Sequence, residues 1–298
     1  MRHRTARSIS ASVRRSDVIT LAAWVFVWAA ALPIATPAIA QTPPQRVVSI
    51  NLCTDQLALA LAEPGQLVSV SRLAHDPASS AMVEAALAYP TNGSGAEEVY
   101  LLAPDLVLAG TFTAPATVNL LRGLGIRVEL FEPANALSDI PGHIARMGAV
   151  LGREEAAARM IAGYEAALAE LADAPDTARP RAALTYVNNY SSGDHTLAGD
   201  ILRVAGFDNV AAEAGLETVG TISLEELVLL APDVIIQGRN YPGAARAEDN
   251  LDHPALRALR GTVLAGELTD RDWICGTPQV LRAIAAMRDL RLRLEARG

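Results

Sequence analysis

A fourteen-residue segment occurs twice in this chain, 128 residues apart. Glu97-Glu98-Val99-Tyr100-Leu101-Leu102-Ala103-Pro104-Asp105-Leu106-Val107-Leu108-Ala109-Gly110 returns as Glu225-Glu226-Leu227-Val228-Leu229-Leu230-Ala231-Pro232-Asp233-Val234-Ile235-Ile236-Gln237-Gly238. Most positions are identical or exchange one aliphatic residue for another. Each copy reads as a helix, a Pro-Asp turn and a buried strand ending in glycine. The period is too long for a solenoid and marks a duplicated lobe. At 298 residues the chain has room for two lobes of ordinary size.

The sequence around each copy alternates short apolar runs with helical periods, the pattern of a mainly parallel α/β sheet. Before and after the first copy, Val47–Ile50, Leu67–Val70, Leu106–Leu108 and Arg127–Leu130 read as strands. Thr54–Leu61 reads as a helix capped near Thr54 or Asp55. After residue 180, Ala182–Val187, Val234–Ile236 and Thr262–Leu264 read as strands, and a helix runs from about Pro278 to Ala296. Between the lobes, Arg153–Asp173 carries no proline and is rich in Ala, Glu and Arg. As a helix it spans about 30 Å, one domain diameter. The expected organisation is a lobe over 41–150, a connecting helix and turn over 151–178, and a second lobe over 179–298.

Residues 1–40 stand apart. Arg2, Arg4, Arg7, Arg14 and Arg15 precede an apolar run from Leu21 to Leu32, and Ala38-Ile39-Ala40 has the small-residue spacing of a cleavage site. This is the pattern of a secretory signal peptide, and the run is too short for a membrane span of about 20 residues. Cleavage after Ala40 is expected to leave an exported remainder. That remainder holds 20 basic and 32 acidic residues, a net charge of −12. No basic stripe exists to meet nucleic acid.

Arg46–Leu57, Glu97–Gly110, Leu124–Leu130, Leu202–Asn209 and Ser223–Gln237 together resemble periplasmic substrate-binding proteins of the ferric-siderophore and cobalamin class. The resemblance covers essentially all of residues 46–298. It implies two α/β lobes with mainly parallel sheets joined by a single long helix, the class III arrangement, with ligand in the cleft between them. It implies a monomer that delivers a metal chelate to an inner-membrane ABC permease. One acidic residue per lobe meets arginines of the permease in that family. The matching positions are Glu97 and Glu225, where a carboxylate in the first helical turn also complements the helix dipole.

Ligands of parallel α/β sheets bind beyond the carboxyl ends of the strands. The candidates there are Arg72, Phe112, Tyr186, Tyr190, Arg239, Tyr241 and Trp273, the last being the single tryptophan after residue 40. Aromatic walls suit a large, partly apolar ligand, and guanidinium forks suit carboxylate or chelate oxygens. The aromatics that sandwich a corrinoid in cobalamin-binding relatives align near Thr91 and Val219, neither aromatic. A ferric siderophore therefore ranks first, with cobalamin or haem in the same role as alternatives.

Of the histidines after residue 40, only His75 sits at a strand end, so no bare-metal site and no resident cofactor are expected. Cys53 and Cys275 are a candidate disulfide in an oxidising compartment, two free buried thiols being the alternative. The chain has no nucleophile elbow, zinc-protease motif, P-loop or dinucleotide fingerprint, and no catalytic residue is assigned. The rival class is an exported enzyme, a hydrolase or a metal chelatase.

Overall fold

The computed structural model describes residues 42–172, 178–238, 251, 253–254, 256, 264–268 and 270–296. In the first lobe, β1 (Val47–Ser49), β2 (Leu67–Ser71), β3 (Thr91–Asn92), β4 (Leu106–Gly110) and β5 (Arg127–Phe131) form a parallel sheet in the order β3-β2-β1-β4-β5. Strand order reverses between β1 and β4. In the second lobe, β6 (Arg181–Thr185), β8 (Asp208–Asn209), β10 (Val234–Gly238) and β11 (Leu264–Leu268) form a parallel sheet ordered β11-β10-β6-β8, reversing between β6 and β10. Two short strands, β7 (Tyr190–Ser192) and β9 (Val219–Thr221), pair antiparallel beside it.

Alternation along the strands divides the core into three parts. Val47, Leu106 and Leu108 of the first sheet and Ala182, Leu184, Val234 and Ile236 of the second face one continuous core shared by both lobes. Val48, Val107 and Ala109 face a separate cluster with Val99, Val118 and Leu121. Ala183 and Ile235 face its counterpart with Val210, Ile222 and Leu227. The duplicated segment thus buries Val99 and Leu227, and Val107 and Ile235, at matching places. Each such side chain contributes roughly 1.5–3 kcal/mol when fully buried.

The helices are α1 (Leu52–Leu61), α2 (Val83–Ala86), α3 (Ala96–Leu101), α4 (Pro115–Gly123), α5 (Ile140–Leu151), α6 (Glu154–Leu171), α7 (Leu197–Val204), α8 (Val210–Glu213), α9 (Leu224–Leu230), α10 (Asp270–Trp273) and α11 (Val280–Glu295). The connector α6 is shorter at both ends than the expected 153–173 and spans about 27 Å. It lies tightly on α5, where a Cβ on Gly148 would come within 2.4 Å of the Ala157 Cβ. Gly152, at φ 71°, makes the left-handed turn between the two helices.

Three sequence expectations are corrected locally. Asn51, not Thr54 or Asp55, caps α1, its side chain accepting from the backbone N–H groups of Cys53 and Thr54. The strand expected over 182–187 ends at Thr185, because Asn188 and Asn189 take positive φ of 56° and 60° and turn the chain. The last strand is described over Leu264–Leu268 and so runs beyond the expected end at Leu264. The leader expected over 1–40 and residues 173–177 of the expected connecting helix and turn lie outside the described residues.

The lobes are joined by more than α6. Cys53 and Cys275 form a disulfide, with Cα atoms 5.1 Å apart across 222 residues of sequence. Thr277 Oγ1 donates to Gln56 Oε1 at 3.1 Å, and Leu137 N donates to Asp200 Oδ2 at 2.8 Å. Gly276 packs so closely on Ala134 that a Cβ there would lie 2.1 Å from the Ala134 Cβ.

Candidate functional site

A cavity of about 440 Å³ opens at the carboxyl ends of β1, β2 and β3. Ile50, Asn51, Ser71, Arg72, Asn92, Gly93 and Ser94 line it from the first lobe, and Ile274 closes it from the second. Its floor is a polar staple. The fully buried Asn92 amide donates to Ser49 O at 3.0 Å, Ser69 Oγ at 2.9 Å and Val70 O at 3.0 Å, so it holds the ends of three adjacent strands together. Ser94 Oγ donates to Ile50 O at 2.9 Å and fixes the turn that follows β3.

Asp55 lies beneath this floor, fully buried in α1. It accepts from Ser71 N at 3.1 Å and Ser71 Oγ at 2.5 Å. Burial pushes its carboxyl up to about 6, against the opposing pull of hydrogen bonds from Ser49 and Ser71 and the charge of His75. His75 itself is engaged, with Nε2 2.9 Å from Ala86 O. Among the described residues no group of three metal-ligating side chains converges.

Arg72 follows β2 directly and reaches the cavity, as its place in the sequence suggests. Its guanidinium lies over Gly93, where a Cβ would meet Arg72 Nη2 at 3.0 Å and Glu98 Oε2 at 2.9 Å. Glu98 Oε2 instead accepts from Gly93 N at 2.7 Å. Arg72 is exposed and has no hydrogen-bond or ion-pair partner among the described residues. A guanidinium in this position is available to an anionic group of a ligand.

The aromatic candidates fall differently. Phe112 is 88% exposed beyond β4 and does not line the cavity. Tyr186 is half-buried at the end of β6, where its hydroxyl accepts from Ser192 Oγ at 3.1 Å. Tyr190 is 45% exposed in β7. Trp273, expected on the cleft wall, is only 6% exposed and belongs to the shared core; its neighbour Ile274 reaches the cavity instead. A short helix at 270–273 turns the indole inward, a direction that apolar patterning around one residue does not reveal. Arg239 and Tyr241 lie outside the described residues. Asn92 and Gly93 were not among the candidates from sequence, and the Asn-Gly pair, a turn signal, was the available clue.

A larger cavity, about 610 Å³, lies across the 77–81 loop between Met82, Glu84, Arg271 and Arg282. None of its lining residues belongs to a strand end, and both arginines already pair with Asp272. The smaller cavity, at the position the topology favours, is the better ligand site.

The profile of the family described as periplasmic binding protein matches residues 47–239. A cobalamin-binding protein of Halobacterium salinarum is 32% identical over 200 residues, covering 65% of this chain and 54% of the relative. The chain therefore spans about half of that relative's length. A vitamin B12-binding protein of Yersinia pestis is 24% identical over 244 residues, covering 80% of this chain and 83% of the relative. Among solved structures, a periplasmic haem-binding protein from a Roseiflexus species superposes with a TM-score of 0.69 at 23% identity, over 84% of this chain and 97% of its own. The periplasmic vitamin B12 binding protein of Vibrio cholerae superposes at 0.64 with 18% identity, over 85% and 98%.

Proposed function

The chain belongs to the periplasmic binding protein family, and from that premise we propose that it captures a metal tetrapyrrole of the cobalamin type and delivers it to an ABC importer. The observation that carries the reading is Arg72, a guanidinium without a partner among the described residues, at the rim of a cavity on the carboxyl ends of parallel strands. Cobalamin carries a phosphate in its nucleotide loop and haem carries carboxylates, and either group suits that cation. The relatives named for cobalamin and haem support placing a tetrapyrrole ahead of the ferric siderophore that ranks first on sequence. The siderophore remains the second reading, favoured by Thr91 and Val219 in place of aromatic walls; Val219 is 60% exposed.

In this reading residues 1–40 direct export and the protein acts in the periplasm. The Cys53–Cys275 bond is in keeping with an oxidising compartment. Glu97 and Glu225 dock on the permease; both are exposed, and neither has an ion-pair partner among the described residues. The role is carriage and not catalysis.

The test is calorimetric titration, with Trp273 fluorescence in parallel, of the full chain recovered from the periplasm of an expression host. The probes are cyanocobalamin, haemin and a ferric hydroxamate. Saturable submicromolar binding of one tetrapyrrole, weakened at least tenfold by Arg72→Ala, is expected. Saturation by the hydroxamate alone transfers the assignment to the second reading. Silence across the panel, with ester or porphyrin turnover, replaces transport by the enzyme class. Charge reversal at both Glu97 and Glu225 is expected to abolish uptake while leaving ligand affinity intact.

A further inference from the structure

Among the described residues, two of the most exposed apolar side chains are Leu101, at 82%, and Leu229, at 85%. They occupy the same position of the duplicated segment. Each stands four residues after the candidate docking glutamate of its lobe, Glu97 or Glu225, so leucine and carboxylate share one helix face about 6 Å apart. The short helices that carry them are held firmly from below. Val99 anchors α3 and Leu227 anchors α9 in matching outer cores. After each helix the chain turns through an alanine in the left-handed region, Ala103 at φ 48° and Ala231 at φ 43°. Pro104 and Pro232 are then buried. Among the described residues neither leucine belongs to a hydrophobic core, and leaving it in water is unfavourable. Single exposed leucines are ordinary. The same one presented twice, beside a carboxylate with no ion-pair partner among the described residues, on two lobes tied by a helix and a disulfide, is a paired feature.

Resting on the transport reading above, we infer that Leu101 and Leu229 are apolar anchors that seat the two lobes on the two halves of a two-fold-symmetric importer. Each half offers an apolar notch beside a basic side chain. The occupant is basic because Glu97, Glu98, Glu225 and Glu226 surround the leucines. A second copy of this acidic chain would oppose like charges across the same surface. Desolvation of the leucine would also strengthen the neighbouring ion pair by excluding water.

The experiment supplies purified protein to host spheroplasts and measures uptake of radiolabelled cyanocobalamin and of haemin against binding-protein concentration. The double variant Leu101→Ser/Leu229→Ser changes only exposed positions and is checked by circular dichroism and ligand titration. Its half-saturating concentration is expected to rise at least tenfold with ligand affinity unchanged. The two single variants should share the loss about equally, and Leu→Met at both positions should restore most of it. Wild-type uptake curves for the double variant overturn the inference alone. A loss accompanied by lost ligand affinity, or a wild-type dimer in sedimentation that the double variant abolishes, overturns it as well. Absence of binding and uptake by the wild type overturns the transport reading and the anchors with it.

Discussion

The first helix after the leading strand of each lobe carries an aspartate at its fourth position, Asp55 in α1 and Asp200 in α7, and the two are used in opposite ways. Asp55 is sealed under the ligand cavity with hydroxyls and an amide around it and no cation paired to it among the described residues. Asp200 is paired with Arg203 and reaches across to the backbone of Leu137 in the other lobe. The duplicated Pro-Asp turns diverge in the same spirit. Asp105 accepts from both Gln45 N at 2.7 Å and Arg46 N at 3.0 Å. Asp233 accepts from Arg181 N at 2.8 Å, while the Arg181 side chain forks onto Glu213. That charge-assisted pair lowers the Glu213 carboxyl and raises the Arg181 guanidinium. Duplication supplied the frame twice; the polar groups hung on it differ, bordering a cavity in the first lobe and reaching from the second across to the first.

The largest expected effect comes from cutting the bond between the two regions. Cys53→Ser with Cys275→Ser opens a loop of 222 residues, and the chain-entropy account of such a closure puts the loss near 5 kcal/mol. Urea unfolding of oxidised wild type against the double serine variant measures it, and equal midpoints would contradict a locked pair of lobes.

Next is the contrast between the aspartates. The Asp55 carboxyl is raised from its ordinary 3.8 to about 6, so its contribution to stability is fully present below pH 4 and is lost as pH rises through about 6. The loss is on the order of 2–3 kcal/mol. Asp55→Asn should flatten stability between pH 4 and 7, because a neutral amide keeps partners at Ser71 without a buried charge. An unchanged slope, read by urea unfolding at both ends of that window, would show that the carboxyl is not the group responsible.

The turns give a smaller difference. Asp105→Ala removes two backbone acceptor bonds and should cost about 1–2 kcal/mol, whereas Asp233→Ala removes one and should cost under about 1 kcal/mol. The reverse order in thermal denaturation would make the second lobe the more dependent on its turn. Smallest of all, Phe112→Ala at an 88% exposed position should move stability by under about 0.5 kcal/mol. A tenfold loss of tetrapyrrole affinity in that variant would enlarge the site beyond the cavity described.

Much of the frame was legible because it is written locally. The Pro-Asp turns, the buried strands Leu106–Gly110 and Val234–Gly238 and the long connector all follow from periodicity within a few residues of themselves. Arg72 was legible for the same reason, as the residue directly after a strand. Trp273 was not. Its aromatic character suited a cleft wall, and a turn of helix placed it in the core while Ile274 took the wall.

The sequence by itself determined that this chain is a duplicated α/β protein with a helical bridge, since hydrophobic period and turn chemistry are properties of neighbouring residues. Only the tertiary structure decided that Cys53 meets Cys275, that Asn92 staples three strand ends, and that Asp55 lies buried beneath the cavity it helps to build. Those outcomes join residues tens to hundreds of positions apart. Their distances depend on how whole sheets and helices pack, which no local pattern encodes.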